Sequence, residues 1–314
     1  MALSSPLLHV AILVLLTIHV RAWHGNGHYS VAYIAQSYLV ENDPDALAWA
    51  NSLLEPYKEF CGENLYPFVE SATWPDKIRD ADWSILFYHH FISHAWFAEG
   101  AKPCNYDIEN HANVVFAIQE YSKQLASQSE DPYGSSKSIL GKSIALRNLI
   151  HYLGDIHQPL HASERVTPDK PDGDQGGNLF VIDHYHNKDI DNLHFVWDHM
   201  FGKLDGDIRT DLSPEKYQTI KNLAESIISE YPLKSLTQKI ENNPTPESWG
   251  LESNKIAQEF VYTGLTEGQD LPQDYIEQGY HLCRERVALA GYRLGVLLST
   301  AYKRANAGRD TIKA

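Results

Sequence analysis

The chain has 314 residues, which is enough for one large domain or two small ones with a substantial apolar core. Its apolar content of 43% and charged content of 21% are typical of a globular protein and exclude a chain that is disordered throughout. The formal net charge of -15 argues against a broad basic face for nucleic acid. It leaves room for a polyanionic substrate at bound divalent ions, because such ions dominate the field around them.

The first 22 residues have the pattern of a secretory signal peptide. Their apolar run, VAILVLLTI at residues 10–18, is too short to span a membrane, and Val20-Arg21-Ala22 fits the small-residue rule for cleavage before Trp23. We therefore expect a mature chain that begins at Trp23 and is secreted or held in an exported compartment (extracellular, periplasmic, vacuolar or lysosomal). No second long apolar run follows, which predicts that the chain has no membrane anchor.

Helical periodicity dominates the chain after this segment. Apolar residues at helical spacing predict a first helix over 31–39, and Asp43 before Pro44 has the pattern of a capped start for a helix over 43–54. Long helices are predicted over 107–127 and 136–156. The clearest apolar repeat predicts a last helix over 276–298.

Strand-like alternation is scarce. The segment LFVID, residues 179–183, is the best candidate and predicts one arm of a short β-hairpin near 179–186. Residues 164–178 are rich in Pro, Asp and Gly and predict a long loop. No linker divides the chain, so we predict a single compact all-α domain over 23–305 with a C-terminal tail over 306–314.

The chain contains three cysteines, Cys61, Cys104 and Cys283. An exported chain can form disulfides, and the first two cysteines lie in loop-like stretches, so we expect Cys61 to pair with Cys104. Cys283 falls within the last helical pattern and is predicted to be a small core residue.

Two pairs of residues have the spacing of metal ligands on a helix. His151 and Asp155 are four residues apart, as are His194 and Asp198, so each pair presents a nitrogen and an oxygen donor on one helical face. His161 follows the first pair beyond a helix-breaking proline. Zinc accepts these donor types. A hydrogen bond on a helix face explains either pair equally well, but both pairs in a chain with 16 histidines favour a site for several metal ions.

Three further segments offer weaker candidates. A mature chain starting at Trp23 would present its α-amino nitrogen and carbonyl oxygen near His28, although an ordinary surface aromatic explains Trp23 as well. Asp76 in WPDKIR could be a ligand, with Arg79 reaching a phosphate, or the segment could be a solvated helix start. Of the neighbours His89 and His90 in HHFI, at most one can face a given metal, and a lone histidine here would more often be a hydrogen-bonded core residue.

These motifs resemble one family in their order along the chain. WHGNGH, WPDKIR, HHFI, HYLGDIHQPLH, GGN and NLHFVWD together resemble the single-strand-specific zinc nucleases of moulds and plants, the class I nucleases and 3′-nucleotidases. Zinc phospholipases C are more distantly similar. The resemblance covers residues 23 to about 295. It implies that the predicted domain over 23–305 is a zinc-dependent nuclease domain.

The resemblance implies a compact, mostly helical fold that holds three zinc ions. Asp76, His90, His151 and Asp155 would hold the first ion. The second would be bound by the Trp23 terminus and His28, with Asp155 bridging the two ions, and the third by His161, His194 and Asp198. The implied ligands are therefore Trp23, His28, Asp76, His90, His151, Asp155, His161, His194 and Asp198.

The implied activity is hydrolysis of single-stranded RNA and DNA to 5′-nucleotides, together with removal of 3′-phosphates from nucleotides. Asp76 would orient the attacking water, Arg79 and Asn178 would stabilise phosphoryl charge, and Phe91 would stack on an unpaired base. Ser93 stands where mould enzymes have a base-contacting Asp, so base preference is not implied.

Two alternatives stay open: a phosphodiesterase of the zinc phospholipase C type, and a secreted zinc-binding protein without activity. Against the first, Asp198 is shorter than the Glu that those phospholipases use. Nothing in the sequence requires more than a monomer.

Overall fold

The computed structural model describes residues 23–81, 84–102, 112–127, 136–183, 191–203 and 212–307. The predicted signal segment, Cys104 and the end of the predicted tail lie outside these ranges. Within them, the chain forms the α-helices α1 (Gly25–Asn42), α2 (Pro44–Leu54), α3 (Pro67–Glu70), α4 (Trp74–Asp80), α5 (Val114–Ala126), α6 (Ser136–Asp155), α7 (Leu193–Asp198), α8 (Pro214–Glu230), α9 (Leu233–Asn242), α10 (Pro246–Ile256) and α11 (Gln273–Asn306). Short 3₁₀ segments span Glu55–Tyr57, Ser71–Thr73, Ser84–His90 and Pro159–Ala162, and a π-helical turn spans Ala257–Val261. The predicted all-α class is confirmed.

Helix α1 lies at the centre of the packing and contacts α11, α8, α6 and α2. Its predicted apolar stripe is buried, with Val31, Ile34, Ala35 and Leu39 all fully inaccessible. Removing such side chains from water is the main favourable term in folding, at about 1.5–3 kcal/mol for each large aliphatic residue. The stripe therefore fixes which face of α1 meets the rest of the protein.

Two glycines of α11, in the segment GYRLG at residues 291–295, explain how closely α1 approaches α11. Gly291 and Gly295 are four residues apart and so lie on one face of α11. A Cβ atom on Gly291 would lie 2.6 Å from the Cβ of Ile34, and one on Gly295 would collide with the ring of Tyr38. Only glycine allows the two helices to pack at this distance.

Helices form where they were predicted, but α1 and α11 extend beyond the predicted ranges. Helix α6 runs from Ser136 to Asp155, as predicted within a residue, and Asp43 caps α2 by accepting a hydrogen bond from the backbone N–H of Ala46 at 3.2 Å. Helix α5 begins later than predicted, at Val114, because the preceding Asn113 caps it through its side chain. Residues 107–111 of that prediction lie outside the described ranges.

The strand prediction is confirmed only in part. Two three-residue strands, β1 (Ala95–Phe97) and β2 (Glu164–Val166), pair in parallel, and β2 lies within the segment predicted as a loop. The predicted hairpin region contains a single antiparallel bridge between Val181 and Asn192, and residues 184–190 lie outside the described part of the chain. Strands this short carry no readable alternation, which is why the sequence pattern missed them.

The structure describes two of the three cysteines. Cys61 is a half-buried thiol, and Cys104, its predicted disulfide partner, lies outside the described residues. Cys283 is a free thiol and fully buried on α11, as predicted for a small core residue. None of the helices in the described part of the chain combines the length and apolar character that a membrane span requires.

Candidate metal centre

The C-terminal end of α6 carries the first group of predicted ligands. His151 and Asp155 are both fully buried there. Three other elements face them: the first turn of α1 with His28, the start of α4 with Asp76, and the end of the Ser84–His90 segment with His90. Residues that are far apart in sequence therefore meet at one helix end, and Asp76 is buried rather than being part of a solvated helix start.

Asp155 lies at the middle of this first cluster. Its Oδ2 is 3.0 Å from His90 Nδ1 and 3.3 Å from His151 Nε2, while its Oδ1 is 3.3 Å from His28 Nε2. Asp76 Oδ1 lies 3.6 Å from His151 Nε2 and 3.7 Å from His90 Nδ1. The two oxygens of one carboxylate thus face different histidines, which is the arrangement that a ligand shared between two ions requires.

A second cluster combines His161, His194 and Asp198. His194 Nε2 lies 3.3 Å from Asp198 Oδ2 and 3.1 Å from His161 Nε2, and all three residues are buried. His161 comes from the 3₁₀ segment after α6, whereas the other two lie four residues apart on α7. The sequence prediction that the second pair and the histidine beyond the proline come together is consistent with this geometry.

The protonation of the second cluster shows why it fits a cation. His161 Nδ1 donates to the backbone carbonyl of His90 at 2.8 Å, and His194 Nδ1 donates to the carbonyl of Gly176 at 2.7 Å. A carbonyl only accepts, so each neutral ring carries its proton on Nδ1 and turns a lone pair on Nε2 toward the other. Burial, followed by the neighbouring His194, lowers the pKa of His161 and keeps that ring neutral. Two lone pairs 3.1 Å apart beside a carboxylate match the donor set of a zinc ion.

The first cluster contains buried acceptors that also lack protein partners. His151 Nδ1 donates to the carbonyl of Ala72 at 2.6 Å, so Nε2 is the ring nitrogen that faces the carboxylates. Burial lowers the pKa of this ring, but Asp155 and Asp76 outweigh burial and raise that pKa. Three buried atoms have no hydrogen-bond partner among the described residues: His28 Nδ1, His28 Nε2 and Asp155 Oδ1. Each such buried group would cost about 1–3 kcal/mol if left unsatisfied. A set of nitrogen and carboxylate donors of this kind fits divalent zinc.

Arg79 keeps the carboxyl of Asp76 ionised. The arginine Nη1 lies 3.0 Å from Asp76 Oδ1, and both side chains are buried. Burial alone would raise the pKa of Asp76, but Arg79, with His151 and His90, outweighs it and lowers that pKa to about 2. Asp76 is therefore an anion throughout the physiological range.

The sequence comparisons identify the family. A family model described as S1/P1 Nuclease matches residues 23–303, nearly the whole chain. The chain belongs to the S1/P1 nuclease family. Similar proteins include Endonuclease 5 of Arabidopsis thaliana, 28% identical over 89% of this chain and 90% of its own length, and Endonuclease 3 of the same plant, 30% identical over 93% and 94%. Nuclease P1 of Penicillium citrinum is 32% identical over 56% of this chain and 57% of its own length.

Membership confirms the predicted resemblance and makes the chain a hydrolytic nuclease. Nucleases of this family depend on zinc, which agrees with the two clusters of buried histidines and carboxylates. The number of ions and the role of each ligand stay predictions, and the geometry supports them.

The predicted terminal ligand lies between the two clusters of this S1/P1 nuclease. The Trp23 side chain is fully buried, and its indole N–H donates to the carbonyl of Gly154 at 2.9 Å. The next backbone N–H, of His24, donates to the carbonyl of Asp198 at 2.8 Å. The segment is thus tied to the residue before Asp155 on one side and to the second cluster on the other. A surface role for Trp23 is ruled out by its burial.

The predicted substrate-binding residues are less closely grouped. Phe91 follows His90 directly and packs edge-on against Phe87, with ring centroids 5.3 Å apart. Asn178 lies in the loop before α7, where its side-chain amide donates to the carbonyl of Gln175 at 2.8 Å. A phosphate contact by Asn178 therefore requires that this hydrogen bond be exchanged, whereas Arg79 already faces the first cluster.

The sequence analysis missed Gly154, which makes room for two predicted ligands. A Cβ on this residue would lie 2.7 Å from His28 Nδ1 and 3.5 Å from Cδ1 of Trp23. A glycine inside a helical pattern is itself a signal of close approach, and HYLGD contains one. The carbonyl groups that orient His151, His161 and His194 gave no signal, because any residue type carries a carbonyl.

We expect Gly154→Ala to disturb the first cluster without changing any ligand. The added methyl must displace the His28 ring, and overpacking of this kind costs about 1–3 kcal/mol. Zinc content and melting temperature measured on the purified variant should both fall. Gly141→Ala, a glycine substitution on the same helix α6 near a flexible glutamine side chain, is the matched control and should retain its zinc. Full zinc content in Gly154→Ala would contradict the steric account.

Removing metal should strongly destabilise this protein. A ligand that binds only the folded chain stabilises it by about 4 kcal/mol at a thousand times its Kd, and chelation removes that contribution for each site. Loss of one site alone should therefore lower the melting temperature by on the order of 10 °C, since 1 kcal/mol corresponds to about 2–4 °C for domains of roughly this size, and loss of further sites should lower it more. Calorimetry before and after chelation, with zinc added back as the control, checks this. An unchanged melting temperature after verified zinc removal would show that the clusters are stable without metal.

Proposed function

We propose that this protein hydrolyses single-stranded RNA and DNA to 5′-nucleotides and also removes 3′-phosphates from nucleotides, with three zinc ions per chain. The observation that carries the proposal is Asp155, whose two oxygens face histidines from three separate elements within 3.3 Å. Family membership supports it, since the related proteins are named endonucleases and nucleases.

The two clusters support the following ligand sets. Asp76, His90, His151 and Asp155 hold one ion, and His28 with the Trp23 terminus holds its neighbour, to which Asp155 also contributes. His161, His194 and Asp198 hold the third ion. The second set depends on a free amino group at Trp23 and hence on signal cleavage before that residue.

The protein side chains around the first cluster position the reacting groups. Bound zinc supplies Lewis acidity that polarises a phosphoryl oxygen. Asp76, held ionised by Arg79, would orient the attacking water by accepting a hydrogen bond from it. Arg79 places a fixed positive charge beside the same site, where it stabilises the charge that develops on the phosphoryl oxygens, and Asn178 assists from the loop before α7.

A single aromatic residue accounts for the single-strand preference. Phe91 follows the ligand His90 and is partly exposed, so a base can stack on its ring only when that base is unpaired. Specificity therefore needs no extended basic groove, which agrees with the net charge of -15. The protein acts as a secreted monomer, or within an exported compartment, with single-stranded nucleic acid and 3′-nucleotides as substrates.

The decisive test compares substrates on one zinc-loaded preparation. A fluorescent single-stranded oligonucleotide should be cut at least about 100-fold faster than the same sequence held in a duplex, leaving 5′-phosphates, and 3′-AMP should release phosphate. Phosphatidylcholine should be inert, which separates the nuclease from a phospholipase C. Turnover of phosphatidylcholine but not of the oligonucleotide would overturn the proposal, and tight zinc binding with no turnover would leave only a zinc-binding protein.

We expect Phe91→Ala to weaken substrate recognition while leaving the metal centre intact. Loss of one base–aromatic stack costs about 1–3 kcal/mol, which corresponds to about 5- to 150-fold in kcat/KM on oligonucleotides. Steady-state kinetics with zinc analysis of the same samples measures both effects. Phe60→Ala removes a phenylalanine that is 91% exposed and serves as the control. Unchanged kcat/KM in Phe91→Ala would remove the stacking role.

A further inference from the structure

Gln158 makes two directed hydrogen bonds from a fully buried position between α6 and the Pro159–Ala162 segment. Its Oε1 accepts from the backbone N–H of Leu160 at 2.5 Å, and its Nε2 donates to Asp198 Oδ1 at 2.7 Å. Because the Leu160 N–H can only donate, it determines which end of the amide is oxygen. The amide nitrogen therefore faces Asp198, and the side chain cannot flip without breaking both bonds.

This donation fixes the carboxylate of Asp198. Oδ1, which accepts from Gln158, lies 3.8 Å from His161 Nε2, and Oδ2 lies 3.3 Å from His194 Nε2, so the bond to Gln158 sets how both oxygens face the second cluster. Hydrogen-bond donors behind a ligating carboxylate orient it toward the metal. The backbone of the same residue is held separately, since the Asp198 carbonyl accepts from the N–H of His24.

The backbone that carries Gln158 is itself anchored from α10 and α11. Ser253 Oγ donates to the carbonyl of Ile156 at 2.5 Å, and Arg286 Nε donates to the carbonyl of His157 at 3.0 Å. Arg293 Nη1 donates to His157 Nε2 at 2.7 Å, because that ring already uses its Nδ1 to donate to the carbonyl of Leu153. Four bonds thus immobilise the turn on which Gln158 stands.

We propose that Gln158 is a positioning residue, which holds Asp198 in the single orientation at which it can join His161 and His194 around a divalent cation. Because it contacts the carboxylate of this cluster alone, its loss should empty one site out of three and spare the two around Asp155. The identity of the ion rests on the proposed function, whereas the orientation of the Asp198 carboxylate rests on the two hydrogen bonds of Gln158.

The substitution Gln158→Glu separates positioning from structure. A glutamate retains the oxygen that accepts from Leu160 N–H but replaces the donor with a second negative oxygen facing Asp198 Oδ1. We expect the affinity for one ion to fall by about 10- to 100-fold, the usual effect of losing an outer partner of a metal ligand. Zinc content after dialysis should fall from about three to about two per chain. Because the two buried carboxylates repel each other, the chelated variant should melt below the chelated wild type, but it should remain folded.

Cobalt titration followed by visible absorption provides the spectroscopic readout, since the lost site should no longer contribute its band. Gln158→Met removes both hydrogen bonds. The melting temperature of its chelated form measures how much the bond from Leu160 N–H contributes to stability. Gln218→Glu makes the same charge change on α8, where the glutamine bonds only to Asn222 in the described structure, and should retain all its metal. Adding Gln158→Glu to His194→Ala should cost no further ion, because both act on one site.

The outcomes separate this inference from the proposed function. A wild-type protein that binds no cobalt would defeat the proposed function before Gln158 is tested. Three ions at wild-type affinity in Gln158→Glu would overturn the positioning role while leaving the nuclease proposal standing. Loss of ions from the cluster around Asp155 as well as from the second cluster would also overturn it, because that result assigns Gln158 a general structural role.

Discussion

Asp155→Asn is expected to remove zinc and nuclease activity together. The substitution keeps the size of the side chain but eliminates its charge, and it turns an amide N–H₂ toward ring nitrogens 3.0 to 3.3 Å away. Zinc should fall from about three to about one ion per chain, since the second cluster does not include this residue. The loss in kcat/KM should be at least about 10³-fold, above the usual cost of removing one electrostatic catalytic group.

The measurement combines zinc analysis with oligonucleotide cleavage on the same purified sample. Asp45→Asn is the matched control, because Asp45 is exposed in the first turn of α2 and its charge faces solvent. A folded Asp155→Asn protein with full activity would defeat the bridging assignment. Loss of zinc in the control as well would indicate that net charge, and not this site, governs metal binding.

The sequence predicted the helix-borne part of the site best. Helical geometry alone places His151 with Asp155 and His194 with Asp198, and the structure brings each pair within 3.3 Å. His28, Asp76 and His90 come from three other elements, and no spacing rule connects them to α6. Their inclusion depended on the resemblance to a family, whose motifs carry the long-range contacts that periodicity cannot express.

Long-range and very short features were the ones that sequence reasoning missed. β1 and β2 are three residues each and pair across about seventy positions, so neither shows a period of two. The orienting role of Gln158 depends on a bond to a residue forty positions away. The same limit applies to the backbone carbonyls that fix the histidine tautomers. Tertiary packing, and not residue type, determines which carbonyl lies next to each histidine.

A chain that retains residues before Trp23 is expected to lose one zinc ion and most of its activity. An acylated nitrogen is a poor metal ligand, whereas a free α-amino group, with a pKa near 8, deprotonates readily beside a cation. The Trp23 segment cannot move aside to compensate, because its indole is buried against Gly154 and the next N–H is bonded to Asp198. Affinity at that site should fall by more than roughly 100-fold, beyond the effect of losing an outer partner.

The test uses one protein with a protease site placed directly before Trp23. Before cleavage it should hold about two zinc ions and cut single-stranded DNA slowly. After cleavage, confirmed by reading the N-terminal residue, zinc should return to about three and activity should rise in parallel. The same peptide added after Ala314 controls for the presence of an extension. Equal zinc and equal activity before and after cleavage would exclude the terminal amine as a ligand, and His28 would then face only the carboxylate of Asp155, 3.3 Å away.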